Sequence, residues 1–141
     1  MITYNSEGIA FPKIRRRDTT RWLRSVAALH GYTIGEVGYV FCNDDKIIEV
    51  NRQYLSHDYY TDIITFDYTE GSVINGDIFI SLDTVSSNAV QQHTEYEEEL
   101  HRVIVHGVLH LCGIDDKGPG QRAVMERAEN EALRLWRHTA R

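Results

Sequence analysis

Two histidines four positions apart, His106 and His110, are the residues of this chain most suited to chemistry. On an α-helix, residues at this spacing lie one turn above the other, so both imidazoles can point at one spot. Asp116 follows shortly after Gly113, a residue of the type that ends helices. Imidazole nitrogens and a carboxylate oxygen bind divalent transition metals, and three protein ligands leave a position open for water. The stretch therefore predicts a metal centre held by His106, His110 and Asp116.

Other interpretations of this stretch have to be weighed. Histidines on a buried helix often only satisfy hydrogen bonds in a core, but this spacing followed by carboxylates favours a metal site. Zinc proteases carry a Glu general base directly after the first helix His. Gly107 occupies that position here, so the protease base is absent. The iron oxygenase triad of two His and one carboxylate normally lies on a β-sandwich and fits a helix poorly.

The two histidines need a buried helix to position them, and the sequence predicts one over residues 100–111. An apolar face recurs there at helical spacing and consists of Leu100, Val103, Ile104, Gly107, Val108 and Leu111. Acidic residues between Glu95 and Glu99 suit the start of such a helix. Gly113 is the expected stop.

The rest of the chain predicts an alternation of strands and helices. Strands are predicted at Ile2–Tyr4, Gly38–Cys42, Thr61–Tyr68 and Gly76–Ser81, the last two as an antiparallel pair. Helices are predicted after an Asp18 N-cap, after an Asn43-Asp44-Asp45 cap, after an Asp83 cap, and from Met125 to Trp136. Residues 1–141 are thus predicted to form one α/β (α+β) domain, a small mixed four-stranded sheet covered by about five helices. The metal site lies on its central buried helix.

Composition limits the class of protein. Of 141 residues, 42% are hydrophobic and 26% charged, as in soluble globular proteins. No apolar run is long enough to cross a membrane and no signal peptide is visible, so a cytoplasmic location without a membrane partner is expected. Cys42 and Cys112 lie in apolar surroundings and are interpreted as reduced core residues.

The charge bears on nucleic-acid binding. A formal net charge of −6 argues against a protein that coats nucleic acid, but it allows an enzyme with a local basic groove. The cluster Arg15-Arg16-Arg17 is either such an RNA contact or a solvated helix face. Arg52 is a further candidate for RNA contact.

The segment from His106 to Asp116 resembles the His-Gly-x-Leu-His-Leu-x-Gly-x-Asp-His signature of the YbeY family, single-strand-specific, metal-dependent endoribonucleases of bacterial ribosomal RNA maturation. The matching positions are His106, Gly107, Leu109, His110, Leu111, Gly113 and Asp115. Three further blocks resemble the family in the same order: Asn51-Arg-Gln-Tyr54, Thr61-Asp62-Ile-Ile-Thr-Phe66 and Gly76-Asp77-Ile-Phe-Ile-Ser81. Together they cover roughly residues 38 to 116.

The resemblance implies a function and its partners. It implies a divalent metal ion, zinc first and nickel or another ion as the alternative, and single-stranded ribosomal RNA as substrate. Processing of the 16S rRNA 3′ end, ribosome quality control and contact with the small ribosomal subunit in the cytoplasm belong to the same expectation. Two positions depart from the family: Asp116 replaces its third His, and Leu55 stands where it carries an Arg. A carboxylate ligand favours harder ions than an imidazole does.

Roles for individual residues follow as expectations. His106 is the candidate catalytic residue beyond its metal binding, and Asp62, Asp77 and Asp115 are candidates for a second shell around the metal. Carboxylates at strand starts often only bond turn amides, which is the alternative for Asp62 and Asp77. The rival functions are a metalloprotease-like hydrolase and a non-catalytic, metal-binding, ribosome-associated module.

Overall fold

Four strands and five helices account for the regular structure in residues 1–55 and 61–139, the part of the chain that the computed structural model describes. The strands are β1 (Ile2–Glu7), β2 (Thr33–Cys42), β3 (Ile63–Asp67) and β4 (Val73–Ser81). The helices are α1 (Arg16–Leu29), α2 (Asp44–Leu55), α3 (Leu82–Gln92), α4 (Tyr96–Leu111) and α5 (Gln121–Thr139). The predicted mixed sheet and its helices are confirmed. None of the helices in these two ranges is both long and apolar enough to span a membrane.

The sheet has the order β1-β2-β4-β3, in which β2 runs parallel to β1 and β4 while β3 runs antiparallel to β4. Parallel neighbours need a crossover connection, and α1 supplies it between β1 and β2. The predicted antiparallel pairing of β3 and β4 is confirmed, with Ile63 opposite Ile80 and Asp67 opposite Gly76. The strand β3 thus forms one edge of the sheet.

Side chains alternate across the strands and build a core on each face of the sheet. The larger core includes Val37, Tyr39, Ile78 and Ile80 and is covered by α1, α3, α4 and α5. A smaller core under α2 consists of Cys42, Ile47, Val50 and Ile64, with Phe66 and Phe79 packed against it. The site helix α4 therefore lies inside the larger core, as predicted.

Gly107 explains how closely α4 approaches the sheet. A Cβ atom at this position would lie 2.8 Å from Ile78 Cδ1 and 3.3 Å from Ile63 Cδ1. Real Cβ atoms essentially never show contacts as short as 2.8 Å, so a larger residue would require the flexible end of Ile78 to shift, whereas glycine allows the helix to rest at this distance as it is. The close packing fixes the height of His106 and His110 relative to the edge strand β3.

Two predicted helix caps are wrong and one is confirmed. Asp18 lies inside the first turn of α1, with its Oδ2 3.5 Å from Nη1 of Arg15, which is the N-cap residue. Helix α3 follows β4 directly, so its cap is Ser81, whose Oγ accepts the N–H of Thr84 (3.3 Å). The Asp83 carboxylate instead accepts a backbone N–H from α2. Asn43 caps α2 as predicted, through the N–H of Lys46 (2.9 Å).

Both cysteines are free and buried, in line with their interpretation as reduced core residues. Burial raises the pKa of the Cys112 thiol to about 11. Burial and the charge of Glu7 raise the pKa of Cys42 to about 12. Neutral, buried thiols of this kind are poor nucleophiles and poor metal ligands, which fits a structural role for both cysteines.

Candidate functional site

A cavity of about 990 Å³, called the main cavity below, opens beside the edge strand β3 and is walled by α3, α4 and α5. The three predicted metal ligands, His106, His110 and Asp116, all line it. They reach it from one helix and from the turn that follows, as their spacing predicted. Further charged residues of its wall are Asp62, Glu98, Glu99, Arg102, Lys117, Arg122, Glu126 and Glu129.

The turn after α4 carries Asp116 back toward the helix. Gly113 has φ +89°, and its N–H donates to the carbonyl of His110 (3.0 Å) while the N–H of Ile114 donates to that of Leu109 (3.1 Å). These two bonds form the Schellman motif, which ends a helix and reverses the chain. As a result, Oδ2 of Asp116 lies 3.4 Å from Nε2 of His106.

Asp115 has a different task from its neighbour. Its Oδ1 accepts the backbone N–H groups of Asp116 (2.7 Å) and Lys117 (3.1 Å). A carboxylate bound in this way stabilises a turn. Asp115 is exposed and does not line the main cavity, so it supports the turn on which Asp116 lies.

Glu129 of α5 was not among the site residues predicted from the sequence, yet it orients His106. Its Oε2 accepts the Nδ1–H of His106 (2.7 Å), and its Oε1 accepts Nη1–H of Arg102 (2.9 Å). The bond at Nδ1 leaves Nε2 directed at Asp116, on the cavity side. A carboxylate on the far nitrogen of a ligand histidine is a usual second-shell arrangement, which fixes the tautomer and the ring orientation.

Burial and charge act against each other on His106. Burial alone would lower its pKa, but the hydrogen bond to Glu129 and the charges of Glu129, Asp116 and Asp62 outweigh burial and raise the pKa. Burial raises the pKa of Asp62, although nearby His106 acts in the opposite direction. Burial and the charge of Asp62 likewise raise the pKa of Glu99. The cavity thus keeps its carboxyl groups crowded and poorly solvated.

The structure does not bring every predicted site residue to the main cavity. Arg15, Arg16 and Arg17 are exposed at the start of α1, and Arg52 is exposed on α2; none of the four lines the cavity. Asp77 lies on β4 next to Ile78, and because Ile78 faces α4, Asp77 faces away from it. Asp62, in contrast, lines the cavity and accepts a hydrogen bond from Asn88 (3.4 Å).

The donor set fits a metal ion in chemistry but is not closed around one. Two ligands of one tetrahedral ion, each about 2.0–2.2 Å from it, lie roughly 3.3–3.6 Å apart. The 3.4 Å between His106 Nε2 and Asp116 Oδ2 agrees with that separation. Within residues 1–55 and 61–139, however, no three His, Cys, Asp or Glu side chains are placed to hold an ion together. His110 shares the cavity with this pair but would have to move toward it.

A model of the family described as Endoribonuclease YbeY matches residues 3–137 of the chain. The chain belongs to the YbeY family. A curated relative from Phocaeicola vulgatus, named Endoribonuclease YbeY, is 64% identical over 135 residues, which are 96% of this chain and 98% of the relative. Relatives of the same name from Bacteroides fragilis and Porphyromonas gingivalis are 63% and 50% identical, covering 95% and 98% of this chain and 96% and 91% of their own. The resemblance predicted from the motifs is thereby confirmed.

A solved structure supports the fold of this YbeY family member. The solution structure of TM1509 from Thermotoga maritima matches with a TM-score of 0.67 and 27% sequence identity. The match covers 98% of this chain and 93% of TM1509. The mixed sheet with its helices is therefore shared over nearly the full length of both proteins.

Proposed function

We propose that this YbeY family member is a metal-dependent endoribonuclease that cleaves single-stranded RNA. Its expected substrate is ribosomal RNA at the 16S 3′ end, on the small ribosomal subunit in the cytoplasm, with a part in ribosome quality control. The observation that carries the proposal is that His106, His110 and Asp116 line one cavity. The relatives of this chain are named endoribonucleases, which supports the same proposal.

His106, His110 and Asp116 would hold one divalent ion, zinc first and nickel as an alternative. When bound, such an ion lowers the pKa of its water and polarises a phosphoryl oxygen. Glu129 keeps the His106 ring in place, and Asp115 keeps the turn of Asp116 in place. Both supports act before any substrate arrives, so the fold prepares the positions of His106 and Asp116, and His110 would complete the set by moving toward them.

The charge of the main cavity argues for a cation in the reaction. Among its described wall residues, the carboxylates Asp62, Glu98, Glu99, Asp116, Glu126 and Glu129 outnumber the cations Arg102, Lys117 and Arg122. A phosphodiester carries a negative charge and would be repelled by such a wall. A bound divalent ion would offset most of this excess negative charge, and the three cations could then contact neighbouring phosphates.

Proteolysis is the weaker candidate because of the direction in which position 107 points. The protease base would have to reach the cavity, but Gly107 packs against Ile78 and Ile63 of the sheet. A Glu side chain at this position would enter the core and not the site. A non-catalytic, metal-binding module on the ribosome remains the second candidate, because Leu55 replaces the Arg of the family.

The proposal is tested with zinc-loaded protein on single-stranded and duplex RNA, with casein digested in parallel. We expect cleavage of the single strand only, loss of cleavage in chelator, no cleavage by His110→Ala and intact casein. Casein hydrolysis without RNA cleavage would reverse the ranking. Zinc binding without either activity would support the non-catalytic, metal-binding module on the ribosome.

Glu129→Gln tests whether the metal site depends on α5. The amide cannot accept from both Arg102 and His106 as the carboxylate does, so we expect zinc affinity to fall about 10–100-fold. Glu131→Gln, an exposed change on the same helix, is the matched control and should leave affinity unchanged. Equal affinities of the two variants, measured by competition with a zinc-binding dye, would show that Glu129 does not support the site.

A further inference from the structure

A second, smaller cavity lies between α4 and α5, and we call it the α4–α5 cavity. It has a volume of about 280 Å³ and is lined by Arg102, Asn130, Leu133, Arg134 and Arg137. The four residues from α5 follow the i, i+3, i+4, i+7 rule and so form one stripe of that helix. Three arginines around one concave space stand out in a chain whose formal net charge is −6.

The arginines of this cavity are held in different ways. Arg102 donates to Glu129 (2.9 Å) and to Asn130 (2.8 Å), which fixes its guanidinium. Arg137 forms an ion pair with Glu98. Arg134 is exposed and has no carboxylate partner within the described ranges of the chain. The cavity thus combines two positioned cations with one whose charge is not compensated.

Arg102 connects this cavity to the proposed active site. It lines both cavities, and its partner Glu129 is also the partner of His106. A polymer that leaves the main cavity along α5 would therefore meet Arg102 and then Arg134 and Arg137. A small ligand bound in the α4–α5 cavity alone would not need a residue that is shared with the main cavity.

Size and chemistry point to one kind of occupant. About 280 Å³ lies at the lower limit of the roughly 300–1,000 Å³ of pockets that enclose a whole small molecule, and it leaves ample room for a single charged group. Guanidinium forks match the oxygens of phosphate, and Arg is the residue that reads them in pairs. None of the described lining residues is aromatic, so a stacked base finds no platform here.

We infer that the α4–α5 cavity binds a backbone phosphate of the single-stranded RNA outside the cleaved region, a site that rests on the proposed function. It extends the substrate path beyond the main cavity. A long RNA strand then binds more tightly than one that fills the main cavity alone. Cleavage chemistry itself does not require this contact.

The test compares fluorescent, non-cleavable single strands of about 4 and about 14 nucleotides by anisotropy at several salt concentrations. For Arg134→Gln we expect about five- to tenfold weaker binding of the long strand. The slope of log affinity against log salt should flatten by about 0.7, the value for one lost phosphate contact on a single strand. Arg134→Lys should restore the slope, because a phosphate contact needs charge first. Arg24→Gln, an exposed change on α1 outside both cavities, is the matched control.

Each outcome decides something. Loss of long-strand affinity and slope in Arg134→Gln, with rescue by Lys, supports the inference. Equal affinity of wild type and Arg134→Gln for the long strand overturns it, while cleavage by wild type leaves the proposed function standing. Failure of wild type to cleave or bind RNA at all removes both.

Free phosphate is the other source of the same chemistry. Titration of inorganic phosphate into wild type and Arg134→Gln, followed by NMR of the α5 amides, separates the two. Arg134-dependent phosphate binding together with an unchanged RNA length effect would mean a small-anion site and overturn the RNA contact. Weak phosphate binding that long RNA displaces supports it.

Discussion

At the scale of single residues, two adjacent aspartates have opposite tasks, and this leads to a sharp prediction. Asp116 Oδ2 approaches His106, whereas Asp115 Oδ1 binds two backbone N–H groups of the turn. Asp116→Asn should therefore lose most zinc affinity, and Asp115→Asn should lose less. Asp116→His should retain binding and shift preference toward zinc or nickel, away from harder ions. Isothermal titration with zinc and manganese measures both effects.

The reverse order of the two Asn variants would mean that Asp115 is the ligand. Unfolding curves of both variants serve as control, because a weakened turn would lower stability as well as affinity. Asp116→Ala should bind less zinc than wild type without a comparable loss of stability, since Asp116 is not a turn-forming acceptor in the described structure.

His101 is buried on α4 outside the main cavity, and it predicts how the free energy of unfolding depends on pH. His101 is 3% exposed between Trp22 and Trp136, its Nδ1–H donates to Glu97 O (2.7 Å), and its Nε2 has no partner in the described structure. Burial lowers its pKa, although the carbonyl and charge of Glu97 act against burial. The folded protein therefore resists protonation of this ring more than the unfolded chain does.

The sign of the effect follows from linkage. The unfolded state binds more protons than the folded state, so the free energy of unfolding falls as pH drops below about 6.5 and through the folded pKa. His101→Phe keeps an aromatic ring between the tryptophans and removes the titration. Urea unfolding at pH 7.5 and 5 should show a smaller loss for His101→Phe than for wild type. Equal losses would contradict it; exposed His138→Gln is the control and should behave like wild type.

Residue types and spacing pointed to three side chains that the structure places around one cavity, but not to what supports them. His106, His110 and Asp116 are local in sequence, so helix geometry and a glycine stop suffice to direct them to one cavity. Glu129 comes from another helix, and only tertiary packing places it at His106. One signal was available: Glu129 falls beside Met125, Ala128 and Ala132 on the buried stripe of α5, where an unpaired charge is costly.

At the scale of elements, α4, α5 and the β3–β4 hairpin were predictable because their patterns are regular. The start of β2 was predicted at Gly38, but the strand begins at Thr33, since an irregularity between Ile34 and Val37 breaks the alternation that reveals strands. Helix α1 begins at Arg16 and not after Asp18, the acidic residue that the helix dipole favours at a helix start. Packing of Arg16 over the Phe11 ring, at 4.2 Å, is a contact that local propensity does not contain.

Substitution of Gly76 and of Gly107 by Ala tests how closely the elements around these glycines must pack. A Cβ on Gly76 would lie 2.5 Å from the backbone carbonyl oxygen of Phe66, whereas a Cβ on Gly107 would lie 2.8 Å from the flexible end of Ile78. The β3 backbone cannot yield without loss of pairing, but the Ile78 side chain can rotate. We expect Gly76→Ala to cost about 3 kcal/mol of unfolding free energy and Gly107→Ala about 1 kcal/mol or less, since Ala also favours the helix.

Urea denaturation of the two variants measures that difference. Ser72→Ala in the exposed turn before β4 is the control and should unfold like wild type. If Gly107→Ala were the more damaging change, α4 and not the hairpin would be the rigid part of the site.

At the scale of the whole molecule, the pairing of distant charges decides where RNA can bind, and the sequence does not contain it. Composition shows only a net charge of −6. The fold collects carboxylates in the main cavity and arginines between α4 and α5, and Arg102 of α4 pairs with Glu129 of α5 where the two cavities adjoin. Local basic surfaces on an acidic protein concentrate binding where the field is favourable.

The basic segment Arg15–Arg17 tests how far this path extends. The Arg15 guanidinium carbon lies 5.4 Å from the ring centroid of Trp136, and Trp136 precedes Arg137 of the α4–α5 cavity in the sequence. The segment itself lines neither cavity. Changing all three arginines to Ala should weaken binding of a long single strand and flatten its salt dependence, because fewer counterions are released. A strand of about 4 nucleotides should bind the variant and wild type alike. The same changes to Gln keep more of the aliphatic packing on Phe11 and Trp136, so a salt slope lost in both variants belongs to charge. An unchanged slope would make the segment a solvated helix start and end the path at Arg137.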